Sequence, residues 1–256
     1  MSELESDKSY LAKRFEFKYI ISPAKALLIE EYLKKVGLLP DDFSKDGAYQ
    51  VHSIYFETPF LDDYHDKDGS YLTRKKLRVR WYGAYDQIPQ QAWLEIKNKR
   101  NQMIRKERVK ISAEAYRLLV EKGEVLHLRQ ATSLAEGDQL VIDRFCRLFV
   151  KGRYHPYVLV SYSRMAYLGN YLMPIRITFD REIQTTWTSN LFQGHKTSLL
   201  AIAPHNTVVM EVKFNGQLPW WFSQLLKMFE LRRDSFSKYA NSVTAIHNNY
   251  QIPISR

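Results

Sequence analysis

The chain has 256 residues, and its 38 Lys and Arg against 28 Asp and Glu give a formal net charge of +10, which favours an anionic partner such as phosphate, a nucleotide, nucleic acid or an acidic membrane surface. The single cysteine, Cys146, excludes an intramolecular disulfide and a cysteine-based zinc cluster, and the absence of a Walker-type glycine-rich loop excludes a P-loop. The sequence contains no apolar run of about 18 residues, so we predict no membrane-spanning helix. Residues 1–10 are polar, lack the features of a signal peptide and are expected to be flexible, so we predict a soluble cytoplasmic protein.

In the first half of the chain, apolar and charged residues alternate with period two, which predicts β-strands. These strands are expected at residues 13–20, 49–56, 77–81, 93–97 and 104–109. After the first of them, Ser22 and Pro23 predict the start of a helix that Gly37 can end. The acidic residues 57–69 lack the EF-hand spacing, so we expect a solvated loop there rather than a calcium site.

The second half of the chain mixes predicted helices and strands. Ser112 caps a short helix that Gly123 ends, and residues 139–150 have helical spacing that places Cys146 in the core. Strands are expected at residues 157–167, 173–180 and 207–214, helices at 219–231 and 235–248, and irregular structure at 185–204. No internal repeat or low-complexity linker is present, so residues 1–256 are expected to form one α+β domain.

Several of the predicted strands share an apolar face and a face of Arg, Lys and Glu. The second face carries Arg74, Lys76, Arg78 and Arg80 on one strand and Glu95 and Lys97 on the next. An ordinary antiparallel sheet with one solvated face explains any single strand of this kind. Their repetition favours a closed antiparallel barrel of about eight strands with flanking helices, whose charged faces point inward. Because burying an unpaired ion costs several kcal/mol, such a lumen needs water or anions, and its Glu residues could hold Mg²⁺ or Mn²⁺.

The order of these charged segments resembles that of the triphosphate tunnel metalloenzymes. The segments are Arg78-Val79-Arg80, Glu95-Ile96-Lys97, Arg105-Lys106-Glu107, Arg164 within residues 161–167, and Glu211-Val212-Lys213. The order is most similar to the VTC domain, the polyphosphate polymerase module of the vacuolar transporter chaperone complex and its bacterial relatives. Residues 78–83 and 236–239 are the most specific parts of a resemblance that spans residues 14–248.

The resemblance implies a tunnel that binds a chain of phosphates end-on and uses Mn or Mg to transfer the terminal phosphate of ATP, or another nucleoside triphosphate, onto polyphosphate. It implies phosphate binding by Lys18, Arg78, Arg80, Lys97, Arg105, Arg164 and Lys238, with Arg78, Arg80, Lys97 and Arg164 catalytic and Glu211 as the metal ligand. The family can show a second lysine three residues before the lysine that matches Lys238. At that position the chain has Ser235. The implied partners are a nucleoside triphosphate and polyphosphate, with no obligatory nucleic acid; a membrane protein could accept the product, and the oligomeric state is open.

Two other functions remain open at this point. One is a triphosphatase that hydrolyses inorganic triphosphate or a nucleotide, and the other is a non-catalytic module that binds polyphosphate or RNA through basic and aromatic side chains. Glu211 within the cationic array favours a tunnel enzyme over a nucleic-acid groove, but the sequence does not separate polymerase from hydrolase. The seven dispersed His residues lack metal-ligand spacing.

Overall fold

A computed structural model describes residues 14–68, 71–83, 89–100, 103–129, 136–170, 174–188, 199–204 and 206–254, so the expected flexible segment 1–10 lies outside the described residues. The strands are β1 (Arg14–Ile21), β2 (Leu39–Pro40), β3 (Tyr49–Glu57), β4 (Thr73–Tyr82), β5 (Gln91–Arg100), β6 (Met103–Ser112), β7 (His155–Asn170), β8 (Pro174–Trp187), β9 (Leu200–Ala201) and β10 (Val208–Asn215). The helices are α1 (Pro23–Lys35), α2 (Asp62–Asp68), α3 (Ala113–Lys122), α4 (Glu136–Lys151), α5 (Trp220–Met228) and α6 (Lys238–Asn249). This composition confirms the α+β class.

The chain divides into two compact units, and β7 and β8 each continue from one unit into the other. The first unit comprises residues 1–49, 163–182 and 204–236, and the second comprises residues 50–162, 183–203 and 237–256. That the two units form one domain stays a prediction.

The first unit is an antiparallel sheet in the order β1-β10-β8-β7, with β2 added to β7. Its apolar core joins one face of the sheet to α1 and α5, and includes Tyr19, Phe179 and Phe222. Helix α1 begins where the sequence predicted, because the Ser22 hydroxyl accepts a hydrogen bond from the backbone N–H of Lys25.

The strands of the second unit have the order β7-β3-β4-β5-β6, with β9 added to β8. Helices α3 and α4 cover one face of these strands, and the core there includes Trp81, Leu94 and Phe145 together with the buried Cys146, as predicted. Since α3 and α4 take up the apolar face, the charged side chains of β4 and β5 lie on the other face.

The predictions for residues 57–69 and for the end of β8 are wrong, and the predicted closed barrel is not confirmed. Among the described residues, the hydrogen-bonded strand order ends at β1 and at β6, so a closed barrel is not confirmed. Residues 57–68 are not a solvated loop, because they contain α2 and the buried carboxylates of Glu57 and Asp63, whereas Gly69 lies outside the described residues. Strand β8 continues to Trp187 beyond Glu182, whose φ of 51° interrupts the simple alternation that the prediction used.

No helix in the described ranges is both long and apolar enough to cross a membrane.

Candidate functional site

The strand register of the second unit arranges its charged residues in rows on the face opposite α3 and α4. The rows are Tyr55-Arg78-Glu95-Arg108, Ser53-Arg80-Trp93-Lys110 and Lys76-Lys97-Lys106. Directly opposite residues of antiparallel strands have Cβ atoms about 5 Å apart and point to the same side of the sheet. This face therefore concentrates cations around one carboxylate.

Glu95 is the carboxylate at the centre of this face, and it is 1% exposed. One of its oxygens accepts a hydrogen bond of 2.6 Å from Nε of Arg78, and the other lies 2.5 Å from Nζ of Lys106. Burial alone would raise the pKa of Glu95, but the positive charges of Arg78, Arg80 and Lys106 outweigh burial and hold this pKa well below its usual range. Glu95 therefore stays ionised and orients the surrounding cations.

Arg78 and Arg80 are fixed by different partners. The Arg78 guanidinium binds Glu95 and donates a hydrogen bond of 3.0 Å to the Tyr55 hydroxyl, whereas Nε of Arg80 donates to the Ser53 hydroxyl at 3.1 Å. Arg80 is 9% exposed, and no carboxylate of the described residues forms an ion pair with it. Arg80 is attracted to Glu95, but Arg78 and Lys106 share this one carboxylate, so the excess of buried positive charge favours an anionic ligand.

Lys106 is a residue of this face that sequence reasoning missed. Its side chain is 37% exposed. Partial burial and the positive charges of Arg78 and Arg80 lower the pKa of Lys106 to about 7, although Glu95 opposes the shift. Val109 is buried on the apolar face, so parity along β6 could have assigned Lys106, Arg108 and Lys110 to the charged face.

Arg105, which the family resemblance suggested, is not brought into this cluster. It pairs in register with Asn98 and lies 3.3 Å from Glu107, on the same face as Val109. Glu107 also accepts a hydrogen bond of 2.8 Å from Arg144 of α4. Arg105 therefore belongs to the helix-covered side of the sheet, and its exposed side chain provides a control for the cations of the other face.

The start of α6 contributes Lys238 to the second unit, and Lys238 is 8% exposed. Its Nζ lies 4.9 Å from the ring centre of Tyr162, a cation–π contact. The Ser237 hydroxyl caps α6 and accepts a long hydrogen bond of 3.4 Å from Nζ of Lys76, whose ammonium also lies over the ring of Tyr239. Tyr162 and Lys76 are thus two further residues that the structure groups with the predicted cations.

Two buried acids lie beside the start of α2. Glu57, with no exposed surface, accepts hydrogen bonds from the backbone N–H groups of Thr58, Asp63 and Tyr64. Burial and the nearby charge of Asp63 raise the pKa of Glu57 to about 8, and burial raises that of Asp63 to about 6. The sequence showed only an acidic segment here, because solvated and buried carboxylates look alike in a sequence.

In the first unit, Glu211 is the carboxylate that gathers cations. Its oxygens lie 3.0 Å from Nζ of Lys213, 3.5 Å from Nζ of Lys18 and 3.8 Å from the guanidinium of Arg164. Arg164 in turn forms a bidentate pair with the fully buried Asp180, at 2.6 and 2.8 Å. The structure thus brings together the predicted residues Lys18, Arg164 and Glu211.

A divalent metal fits this cluster only if the substrate supplies some of its ligands. The described residues contain no group of three or more His, Cys, Asp or Glu side chains that could hold an ion by themselves. Lys18 lies within 3.5 Å of both Glu211 and Glu16, which places two carboxylates around one ammonium. Mg²⁺ commonly binds one or two carboxylates together with water and substrate phosphates, and these two residues could supply that number.

The fold and the clusters define an α+β protein in which Lys and Arg side chains are arranged around buried carboxylates. The chain belongs to the VTC domain family, whose pattern matches residues 13–247. A search of curated protein sequences found no significant match.

Three solved structures resemble the chain over most of its length. A candidate adenylate cyclase from Bacillus halodurans is 15% identical, with a TM-score of 0.46 over 88% of this chain and 95% of the other. A candidate adenylyl cyclase from Hippeastrum, described as having a dominant triphosphatase activity, is 11% identical, with a TM-score of 0.48 over 91% and 96%. A protein from Pyrococcus horikoshii is 10% identical, with a TM-score of 0.42 over 90% and 98%.

Proposed function

We propose that the protein is a polyphosphate polymerase that uses a divalent metal, Mn²⁺ or Mg²⁺, to transfer the terminal phosphate of a nucleoside triphosphate to a polyphosphate chain in the cytoplasm. Membership of the VTC domain family supports the assignment. The observation that carries it is the buried Arg80, which has a hydroxyl partner but no carboxylate partner among the described residues. A chain of phosphates would supply a direct ion-pair partner at this position.

Arg78 and Arg80 have complementary roles in this proposal. Both lie on one face of β4, two residues apart, so their guanidinium groups can hold neighbouring phosphates. Glu95 and Tyr55 fix Arg78, and Ser53 fixes Arg80, which means that the cations need little rearrangement when charge develops on the transferred group.

Other cations extend the proposed binding surface within each unit. In the second unit Lys97 and Lys106 lie opposite each other on β5 and β6, and Lys238 lies at the start of α6. In the first unit Lys18 and Arg164 lie beside Glu211. We assign phosphate binding to these residues and replace Arg105 by Lys106.

In phosphoryl transfer the protein chiefly positions the reacting groups and stabilises the charge that develops on the transferred phosphate. Glu211, with Glu16 nearby, would hold the metal, which neutralises phosphate charge when bound. Arg78, Arg80 and Lys106 would hold the phosphate oxygens, and Glu95 would keep these side chains oriented. A phosphate-chain nucleophile is already ionised, so the reaction needs no general base.

Incubation with ATP and Mn²⁺ or Mg²⁺, followed by separation of long-chain polyphosphate from orthophosphate, tests the proposal. We expect polyphosphate from the wild type and from Arg105→Ala, and a loss of at least about 100-fold with Arg80→Ala, because that substitution removes a preorganised charge. Orthophosphate without polyphosphate would replace the polymerase by a triphosphatase. Tight polyphosphate binding without turnover would indicate a binding module.

A further inference from the structure

Trp93 is an aromatic residue on the charged face of β5. Its strand neighbours on that face are Arg80 of β4 and Lys110 of β6. The other charged-face positions of β5 near it are Glu95 and Lys97, so an indole at this position departs from the pattern. The ring is half-buried and lies on the opposite face from the core residue Leu94.

Two cations lie on the Trp93 ring. Cζ of Arg108 is 4.6 Å from the ring centre, and Nζ of Lys110 is 5.2 Å from it. Neither cation forms an ion pair with a carboxylate of the described residues, and both side chains are exposed. The result is an aromatic surface that carries two cations on its ring, neither of them in a direct ion pair among the described residues.

This combination matches the chemistry of a nucleotide. A nucleobase stacks on an aromatic side chain without needing a particular base edge, so it can take the place of the cations on the ring, and the displaced cations can then bind the attached phosphates. An inorganic phosphate chain would use the cations but gain little from an indole. The aromatic ring therefore favours a nucleoside triphosphate over an inorganic triphosphate.

The position of Trp93 relative to the two arginines also suits a nucleotide. Arg80 is directly opposite Trp93 in the ladder, with Cβ atoms about 5 Å apart. Arg78 follows two residues further along β4, about 7 Å away along the strand. A ligand whose base stacks on Trp93 could therefore extend its phosphates past Arg80 toward Arg78 and Lys106.

We propose that Trp93, Arg108 and Lys110 form a nucleoside subsite, with the base stacked on the indole and the phosphates directed toward Arg80 and Arg78. This subsite rests on the proposed function, because it defines the donor substrate as a nucleoside triphosphate. Stacking makes the subsite tolerant of the base, so ATP and GTP bind with similar affinity.

Calorimetric titration with ATP and with inorganic tripolyphosphate, both in the presence of a chelator to prevent turnover, tests the subsite. Trp93→Leu should weaken ATP binding about tenfold, or about 1.4 kcal/mol, and should leave tripolyphosphate binding within about twofold. Trp93→Phe retains a ring and should keep ATP affinity within about threefold of the wild type. Trp220→Leu, which removes an exposed indole of α5, is the matched control and should change neither affinity.

Several outcomes would overturn the subsite. Equal weakening of both ligands by Trp93→Leu, or no weakening of either, would show that the indole has no role in binding a nucleoside, while the proposed function would stand. If the wild type binds neither ligand, both proposals fail. If the selective loss of ATP binding is seen but no polyphosphate is made from ATP, the subsite stands and the polymerase assignment fails. Should Trp93→Leu not fold, quenching of tryptophan fluorescence decides the question: ATP but not tripolyphosphate should quench a signal of the wild type that Trp93→Phe lacks, and equal quenching by the two ligands overturns the subsite.

Discussion

The phenol hydroxyl of Tyr239 donates a hydrogen bond to the fully buried carboxylate of Glu57, which joins α6 to the end of β3. The ring of Tyr239 also lies 5.2 Å from that of Tyr55, whose hydroxyl accepts a hydrogen bond from Arg78. Lys238, the cation at the start of α6, precedes Tyr239 in the chain. The buried acid is therefore connected through two aromatic rings to the cationic face.

Tyr239→Phe should destabilise the protein although it removes only one oxygen atom. Glu57 would lose one of the donors that satisfy its carboxylate in the interior, at a cost of about 1–3 kcal/mol. Urea denaturation would measure the free energy of unfolding. Tyr250→Phe, just after the same helix and 49% exposed, should change it by less than about 0.5 kcal/mol, and equal effects of the two substitutions would contradict the role of the hydrogen bond.

Glu57 should make stability fall as pH rises. Its pKa is raised from 4.5 to about 8 in the folded protein by burial and by Asp63, while backbone hydrogen bonds and Lys76 oppose the shift. A raised pKa means that its stabilising contribution is complete below about pH 4.5 and is lost as pH rises through about 8. We expect a decrease on the order of 3 kcal/mol between about pH 5 and pH 9.

Glu57→Gln is the test of this pH dependence. The variant should be less stable than the wild type at about pH 6, because an amide nitrogen cannot accept the hydrogen bonds of Tyr64 and Tyr239. The difference should narrow toward about pH 9, since Gln does not ionise. A constant difference across this range would show that Glu57 does not titrate there.

Lys106 should couple phosphate binding to proton uptake. With a pKa lowered to about 7, it is largely neutral at about pH 8, and a bound polyanion restores its charge. Titration with tripolyphosphate in two buffers of different ionisation enthalpy measures the protons taken up. Lys106→Arg should bind with less proton uptake than the wild type, because arginine is always charged; equal uptake would contradict the lowered pKa.

Arg80→Met should raise stability while it removes activity. The wild-type guanidinium is buried without a direct ion pair near the positive charges of Arg78 and Lys106, and it shares its attraction to Glu95 with both. An apolar side chain of similar length removes the net cost of this burial. We expect a gain of about 1 kcal/mol in the free energy of unfolding, from which the contribution of the lost hydrogen bond to Ser53 must be subtracted. Arg78→Met should instead destabilise, because Lys106 would then be the one close ion-pair partner of Glu95 in the described part of the chain. Urea denaturation measures the free energy of unfolding of both variants. If the two substitutions change it in the same direction, the proposal that Arg80 is held for an anionic ligand is contradicted.

Removal of divalent metal should separate binding from turnover. A chelator is expected to abolish polyphosphate synthesis, whereas tripolyphosphate should still bind, because lysine and arginine side chains supply most of the contacts. Glu211→Gln should raise the metal concentration needed for half-maximal activity by about tenfold or more. Glu182→Gln, in the same unit, is a control that should leave it unchanged, and a similar shift in both variants would exclude Glu211 as the metal ligand.

The alternation of apolar and charged residues predicted most strands of the two units, and the caps at Ser22 and Ser112 predicted two helix starts. Burial of the acids was not predictable, because the donors that satisfy Glu57 come from α2 and from the distant Tyr239. The family resemblance suggested Arg105 rather than Lys106, because a sequence motif gives the order of residues but not the register between neighbouring strands. The register assigns a face to each residue, and Lys106 rather than Arg105 contacts Glu95.

Strand β6 is at one end of the hydrogen-bonded order among the described residues, and its exposed Lys106, Arg108 and Lys110 follow this edge. A strand edge with unpaired backbone groups is prone to pair with another chain, and lysine side chains along it repel such pairing. The cations that we assign to ligand binding therefore also oppose aggregation. A variant that neutralises all three should lose solubility as well as affinity, so its inactivity alone would not identify the binding residues.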